Sequence, residues 1–187
     1  VTQAKQVEFE ITYEDEAGNE GIVVDNTTNR SFVRIDTTNP ELLDVSITSN
    51  NLDNTTARKD DQVTLSFKTT EPIQTPTSAD IRVTGLDSLE FTKIDTEGKH
   101  WEVSGTVLAS QNGNASFSIE VLDLAGNKGS PFTATDDNTQ VVLDTTTPTL
   151  SGITLVSTNA NDSQAFAKPG DNITLSFNSS EPIQIPS

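Results

Sequence analysis

A sixteen-residue stretch occurs twice in this chain, and that internal repeat constrains the fold more than any other feature of the sequence. DQVTLSFKTTEPIQTP begins at Asp61 and returns as DNITLSFNSSEPIQIP at Asp171, with ten of the sixteen positions identical. A shorter motif, DTTNP at Asp36, returns as DTTTP at Asp144, an offset of 108 in the numbering (144 − 36). Because solenoid repeats are roughly 20–50 residues long, a period near 108 indicates a complete small domain instead.

The repeat divides the 187 residues into three parts. An AGN motif ends at Asn19 and again at Asn127, which is the same offset as that of the DTT motif. We predict the C-terminal part of one module at about 1–35, a complete module at 36–143, and the N-terminal part of the next at about 144–187. We therefore expect the chain to be a segment of a longer tandem array of such modules.

Apolar and polar residues alternate along the central module, as is typical of half-buried β-strands. No stretch shows a helical period, and turn signals such as Asn112-Gly113 and the EGK around Gly98 separate the runs. The alternating runs cover 43–47, 63–67, 81–83, 89–91, 101–107, 117–121 and 141–143. Seven short strands in this length predict an all-β fold, with tandem immunoglobulin-like β-sandwich modules of about seven antiparallel strands each.

Charge and composition exclude several kinds of partner. The chain carries 28 acidic against 11 basic residues, a net charge of −17. Such a surface repels phosphate backbones and anionic lipid, so we expect neither nucleic acid nor a membrane surface as partner. No stretch is long and apolar enough to cross a bilayer, and the absence of cysteine excludes disulfides and thiolate metal sites. The acidic surface is instead suited to cations.

The recurring polar motifs are expected to meet at one end of the module. If the strands are named A to G, the start of A, the B–C loop and the F–G loop share one pole of an immunoglobulin-like sandwich. Asp36 lies at the start of A, Glu71 in the B–C loop, and Asp123 and Asn127 in the F–G loop. Calcium takes about 6–8 oxygen ligands in flexible geometry. We therefore predict a calcium site at this pole, which faces the preceding module.

The repeat extends this prediction to both neighbouring modules. Asp144 and Glu181 would begin the equivalent site of the next module, and Asp15 and Asn19 would complete that of the preceding one. A purely structural interpretation stays open, because Asp and Asn are favoured in turns where their side chains bond to nearby backbone. On that interpretation AGN is a tight turn with Gly126 at positive φ.

The motifs DTTTPTL, AKPGDNITLSFNSSEPI and DLAGN resemble the tandem bacterial immunoglobulin-like repeats of giant surface adhesins and related exported stalk proteins. The resemblance covers essentially the whole chain. It implies extracellular, cell-surface stalks of many copies, often with calcium at or near the joints. The expected partners are neighbouring modules of the same chain and, in a fibre, like chains. The family's KxGD segment is present as KPGD at 168–171, whereas the central module has RKDD at 58–61.

Catalysis is not expected from this sequence. The single histidine, His100, alternates with Trp101, so it points outward if Trp101 points into the core, and nothing in the sequence supplies it with a nucleophile and an orienting carboxylate. Two functions remain: a structural spacer made rigid by calcium at its junctions, or a carbohydrate-binding module. The second should show exposed aromatic side chains near a loop end. Because aromatic residues make up only 5% of the chain and fall mostly in core-facing positions, the pattern favours the spacer.

Overall fold

The computed structural model of the chain describes residues 5–159 and 165–185, and these residues form strands and turns but no helix. The all-β prediction is therefore confirmed. Within the same residues there is no helix with the length and apolar character needed to span a membrane. The chain divides into two units, Val1–Thr145 and Thr146–Ser187.

In chain order the strands are β1 (Lys5–Gln6), β2 (Arg34–Ile35), β3 (Leu42–Ser49), β4 (Thr56–Ala57), β5 (Gln62–Thr69), β6 (Ile81–Val83), β7 (Leu86–Lys93), β8 (His100–Val107), β9 (Asn112–Asn114), β10 (Phe117–Ile119), β11 (Val142–Asp144), β12 (Leu150–Ser157) and β13 (Ile173–Ser179).

The main layer of the first unit is a four-stranded antiparallel sheet with the order β3-β5-β8-β7. In the centre of this sheet Leu65 lies opposite Ile47 on one side and Val103 on the other. Because successive side chains of a strand point to opposite faces, the alternation of β5 buries Val63, Leu65 and Phe67 together. The opposite face of the same strand carries its polar residues.

Shorter strands supply the opposing layer. β10 pairs with β6, and β11 pairs antiparallel with β9 and parallel with β4. The core lies among these strands and the four-stranded sheet, which gives the unit a β-sandwich-like build. Trp101 is 3% exposed and its indole N–H donates to the Gly98 carbonyl at 3.0 Å. The buried apolar residues are Val45, Ile47, Ala57, Val63, Leu65, Phe67, Ile73, Ile81, Val83, Trp101, Val103, Val107, Phe117, Ile119, Val121, Val141 and Leu143.

Residues 5–35 pair with themselves in the same way as the last part of the central region. Ile11 bridges Val24, and at the offset of the sequence repeat Ile119 bridges Phe132. The ladder between β1 and β2 corresponds likewise to the ladder between β9 and β11. The side chains differ in burial, however, because most apolar residues of 5–35 are exposed.

The second unit contains the antiparallel pair β12 and β13. Its ladder is interrupted between Ser151 and Thr154, and the ladder of β3 with β5 is interrupted at the corresponding place, between Leu43 and Ser46. Like residues 5–35, this pair leaves its alternating apolar side chains largely exposed.

One local prediction is wrong. The sequence predicts a turn at Asn112-Gly113, but both residues lie in β9, where Gly113 is opposite Leu143 of β11. The turn comes earlier, at Ser110, whose φ is 61°. The Asn-Gly pair favours a turn only through local backbone preferences, and here the pairing with a strand distant in sequence prevails. β4 and β9 are not among the seven predicted strands.

The turn before β5 forms without the glycine of the KxGD pattern. In the second unit Gly170 has φ 94°, and Asp60 holds the equivalent position at φ 71°. Both turns close with the same bonds, since Asp61 N donates to Arg58 O at 3.1 Å and Asp171 N donates to Lys168 O at 3.0 Å. Asp is among the few residues that tolerate this left-handed conformation, so the turn keeps its shape.

Candidate functional site

Three acidic side chains from distant segments meet at one end of the central region. Asp36 precedes β3, Glu71 follows β5, and Asp123 follows β10. One carboxylate oxygen from each lies within 4.8 Å of the others. Asp123 is 1% exposed, and the other two are half-buried. We call these three residues the acidic cluster.

Asp123 also organises the turn that follows it. Its Oδ1 atom accepts hydrogen bonds from the backbone N–H groups of Ala125 and Asn127, each at 2.8 Å. Its Oδ2 atom accepts a bond from Asn127 Nδ2 at 2.8 Å, and Gly126 has φ 95°. DLAGN therefore forms the tight turn of the structural interpretation. The carboxylate that holds this turn, that of Asp123, also belongs to the acidic cluster.

Asn127 ties this turn to the start of β3. Its Nδ2 atom donates a second bond, to the backbone carbonyl of Asp36 at 3.1 Å. Gly129 makes the close approach possible, because a Cβ atom there would lie 2.7 Å from the carbonyl oxygen of Pro40. Any larger residue at 129 would push the two segments apart and with them Asp36 from Asp123.

The loop that carries Glu71 is fixed from both sides. Thr69 Oγ1 donates to the Glu71 carbonyl at 2.6 Å, and Gln74 Nε2 donates to the Asp123 carbonyl at 2.9 Å. Ile73 bridges Asp123 directly. The backbone thus places the Glu71 side chain next to the F–G turn without using its carboxylate.

The surroundings of Glu71 disfavour a negative charge on its side chain. Burial raises the pKa of Glu71, and the charges of Asp36 and Asp123 raise it further, while Lys99 opposes them. Within the described part of the chain no group donates a hydrogen bond to its carboxylate. Asp36 differs, because bonds from Thr38 N at 3.0 Å and Thr38 Oγ1 at 2.8 Å lower its pKa. Such a cluster can take up a proton or a cation, either of which relieves the repulsion.

The first of the flanking pairs, Asp15 and Asn19, forms the same turn on its own. Asp15 Oδ1 accepts from Ala17 N at 2.9 Å and from Asn19 N at 2.8 Å, and Oδ2 accepts from Asn19 Nδ2 at 2.8 Å. The pKa of Asp15 is lowered, first by the Asn19 side chain. Asp15 is exposed, so the turn forms without the rest of a cluster around it.

The remaining predicted ligands, Asp144 and Glu181, each lie at or just after the end of a strand. Asp144 is the exposed last residue of β11. Glu181 follows β13, and its carbonyl accepts a bond from Ser179 Oγ at 2.5 Å, as the Glu71 carbonyl does from Thr69. Among the described residues, the Glu181 Oε1 atom is buried without a hydrogen-bond partner.

The sequence analysis identified the residues that could bind a metal but not those that position the acidic cluster, such as Thr69 and Gly129. The hydroxyl that supports Glu71 is visible in the sequence as a Ser or Thr two residues before the repeated Glu. The close approach of Gly129 to Pro40 has no local signal, since the two residues are far apart in the chain.

His100 lies on the outer face of the four-stranded sheet, half-exposed, as the alternation predicts. Its Nε2 atom is 3.2 Å from Ser66 Oγ. The nearby Asp95 carboxylate accepts bonds from the backbone of Gly98 and Lys99 at 2.8 and 3.0 Å. Asp95 therefore shapes its own turn.

Comparison of the chain with models of known protein families, with curated proteins and with solved structures finds no match.

Proposed function

We propose that this chain is a structural extender of an extracellular bacterial adhesin or surface fibre, built from tandem immunoglobulin-like modules whose junctions bind calcium. The observation that carries the proposal is the acidic cluster, because it includes Asp36, the residue at which the chain enters the central module. A cation held there would connect the entering chain to two loops of the module. That connection would restrict how the module moves against what precedes it.

Two features of the fold support immunoglobulin-like modules. In the A-to-G naming, the order β3-β5-β8-β7 corresponds to A-B-E-D, and the pairing of β6 with β10 corresponds to C with F. An A-B-E-D order and a C–F pair also occur in immunoglobulin domains, which supports the proposal. The recurrence of strand pairings at the offset of the sequence repeat supports repetition of the module along the chain.

Calcium fits the donor set better than other common ions. All three side chains offer hard carboxylate oxygens, with neither histidine nor cysteine among them. Each carboxylate oxygen has two acceptor positions, so Asp123 can bind a cation while it keeps its bonds to Asn127. Three carboxylates supply less than the 6–8 ligands that calcium prefers, and backbone carbonyls or water would complete the shell.

The carbohydrate-binding alternative receives less support. Its best candidate for a sugar platform is the single tryptophan, and Trp101 is buried in the core with its N–H bonded to Gly98. A spacer needs no recognition surface, only modules that hold their direction. The high net charge of −17 would also keep neighbouring stalks apart.

Isothermal titration with calcium tests the proposal. The intact chain should bind calcium, Glu71→Ala should lose the central site, and Glu90→Ala, which removes an exposed acidic residue from β7, should keep it. Magnesium should bind more weakly, because it demands near-octahedral geometry. No binding heat from the intact chain, or equal loss in both variants, would contradict the calcium site.

Solution scattering tests the spacer itself. With calcium the chain should sample a narrower range of overall dimensions than with chelator. Unchanged scattering in the two conditions would favour a joint packed without metal.

A further inference from the structure

In the central region, a late segment of the module covers the outer edge of β3. This segment, residues 136–143, runs into β11, and we call it the closing segment. Its Thr139 Oγ1 atom accepts a hydrogen bond from Ile47 N of β3 at 3.0 Å, and β11 pairs in parallel with β4. Ile47 and Val141 are both buried in the core of the unit. The closing segment therefore covers both the edge of β3 and its apolar face.

Residues 28–35 repeat the closing segment at the offset of 108 and have the same local conformation. Thr27 Oγ1 donates to the Ser31 carbonyl at 2.8 Å, and the corresponding bond of the central region measures 2.9 Å. Arg30 has φ 60°, against 59° at its counterpart. Ser31 therefore offers a hydroxyl in the position of Thr139.

β2 has an open side where β11 has a partner. β11 is paired on both sides, with β9 and with β4, whereas β2 pairs with β1 alone among the described residues. The counterpart of β4 is 166–167, because the Phe166 carbonyl accepts from Ser157 Oγ as the Thr56 carbonyl accepts from Ser49 Oγ. A strand at 166–167 would therefore fit the open side of β2.

The outer edge of β12 repeats the outer edge of β3. Leu155 lies opposite Leu175 in the same register in which Ile47 lies opposite Leu65, so the Leu155 N–H points outward as that of Ile47 does. Within 5–159 and 165–185, β12 pairs with β13 alone. Ile153 and Leu155 are exposed, so β12 lacks the cover that β3 has.

We propose that residues 28–35 of one copy of this chain dock on β12 of a second copy, in the geometry in which the closing segment covers β3. The Ser31 hydroxyl accepts a bond from the Leu155 N–H of the second copy. Val33 and Leu155 are both exposed, and the docking buries them as their counterparts in the central region are buried. Because the two surfaces are different patches, the contact is head-to-tail and can continue from copy to copy.

The central region identifies a second copy as the occupant. Residues 28–35 carry the hydroxyl, the turn and the apolar positions of the segment that covers β3 in the same molecule. The inference goes beyond the proposed function and uses no residue of the acidic cluster. The net charge of −17 on each copy opposes association, so salt should strengthen it.

Sedimentation of the full chain in chelator, at about 0.15 M salt, tests the inference. The sedimentation coefficient of the parent chain should rise between about 10 μM and 1 mM, the range expected for a small interface. Val33→Asp and Leu155→Asp should each remain monomeric, and both should fold because these side chains are exposed. Leu52→Asp, which changes an exposed leucine in the loop after β3, is the matched control and should associate like the parent chain.

Mixing the two blocked variants tests the head-to-tail geometry. Val33→Asp keeps an intact β12, and Leu155→Asp keeps an intact 28–35, so the mixture should form a one-to-one dimer that does not extend. Ser31→Ala should weaken association roughly two- to tenfold, the factor for about one net hydrogen bond, while Ser31→Thr should keep it.

Any of three results would overturn the inference. The parent chain stays monomeric at about 1 mM, the two blocked variants associate as the parent does, or their mixture contains no dimer. All of these measurements are made in chelator, so failure of the calcium site would leave them unaffected, and their failure would leave the calcium site standing.

Discussion

The central region, 36–143, and the regions that flank it carry the same sequence pattern with opposite burial. Leu65 is 1% exposed, whereas its counterpart in the repeat, Leu175, is 59% exposed. Ile119 is fully buried, whereas Ile11 is 52% exposed. Alternation of apolar residues therefore specifies a strand with an apolar face, but a core requires a second layer to cover that face.

The local backbone structure, by contrast, is the same in the central region and in the flanking regions. Ser49 Oγ donates to the Thr56 carbonyl, and Ser157 Oγ donates to the Phe166 carbonyl at the corresponding place. Turns, bulges and strand pairs are thus encoded within each stretch of the repeat. The covering layer comes from strands far away in sequence, as Ile81 of β6 and Phe117 of β10 illustrate in the central region.

The largest test of this comparison uses one substitution at two equivalent positions. Leu65→Ala should cost about 2–5 kcal/mol of unfolding free energy, because it removes buried contacts and leaves a cavity. Leu175→Ala should stay within about 0.5 kcal/mol, as exposed substitutions usually do. Urea unfolding followed by the fluorescence of Trp101, the single tryptophan, measures the effect of Leu65→Ala, and amide exchange in β13 measures that of Leu175→Ala. Similar losses in the two variants would show that the exposed face of β13 is covered in solution.

The second comparison is between the two turns that end in the AGN motif, one beginning at Asp123 and the other at Asp15. Asp123→Ala should destabilise the first unit by about 1–3 kcal/mol in chelator, since two part-buried N–H groups, those of Ala125 and Asn127, lose their acceptor. Asp15→Ala breaks the same bonds in an exposed turn, where water replaces the carboxylate, and should lower the melting temperature much less. Thermal unfolding in chelator compares them, with Asp123→Asn as the variant that keeps one acceptor oxygen. A stable Asp123→Ala chain would mean that the turn does not depend on its carboxylate.

Glu71 of the acidic cluster and Asp15 of the exposed turn should respond to pH with opposite sign. The pKa of Glu71 is raised, so the stability linked to its proton is full below the ordinary value of 4.5 and is lost as pH rises through the raised pKa. The pKa of Asp15 is lowered, so its contribution is present above the ordinary value of 3.8 and is lost as pH falls through the lowered pKa. Glu71→Gln should therefore melt higher than the parent chain at pH 7 in chelator.

The difference between Glu71→Gln and the parent chain should shrink towards pH 4, where Glu71 gains its proton. Calcium should reverse the order at pH 7, because glutamine is the weaker ligand and the parent chain gains stability from binding. Melting curves at several pH values, with calcium and with chelator, provide the measurement. If Glu71→Gln melts higher than the parent chain both with calcium and with chelator, the acidic cluster does not bind calcium.

The smallest expected effect concerns the turn before β5. Asp60→Gly should stabilise the first unit by about 0.5–1 kcal/mol, because glycine adopts the left-handed conformation without a steric cost. The reverse exchange, Gly170→Asp, should weaken the pairing of β12 with β13 by a similar amount. Urea midpoints measure the first and amide exchange in β13 the second. A destabilised Asp60→Gly chain would indicate that the aspartate side chain contributes more than its backbone strain costs.

The sequence predicts those parts of the fold that depend on neighbouring residues. The alternation around Leu65 and Val103 predicts β5 and β8, and the burial of Trp101 follows from its place in the same pattern. The strand scheme also places Asp36, Glu71 and Asp123 at one pole, and the structure brings these three residues together. Both inferences need only strand order and period.

What the sequence does not predict depends on distant pairing. β9 forms because β11 lies beside it, in spite of the turn preference of Asn112-Gly113. The raised pKa of Glu71 requires knowing its burial and its distance from two other charges. The hydrogen bond from Gln111 N to Thr145 Oγ1 likewise joins residues that are 34 positions apart in the sequence.

A crystal structure grown with calcium tests the account most directly. We expect one ion bound by carboxylate oxygens of Asp36, Glu71 and Asp123 at the roughly 2.3–2.6 Å typical of calcium. Well-ordered density in which these three side chains point away from one another into solvent, with no ion between them at millimolar calcium, would contradict it.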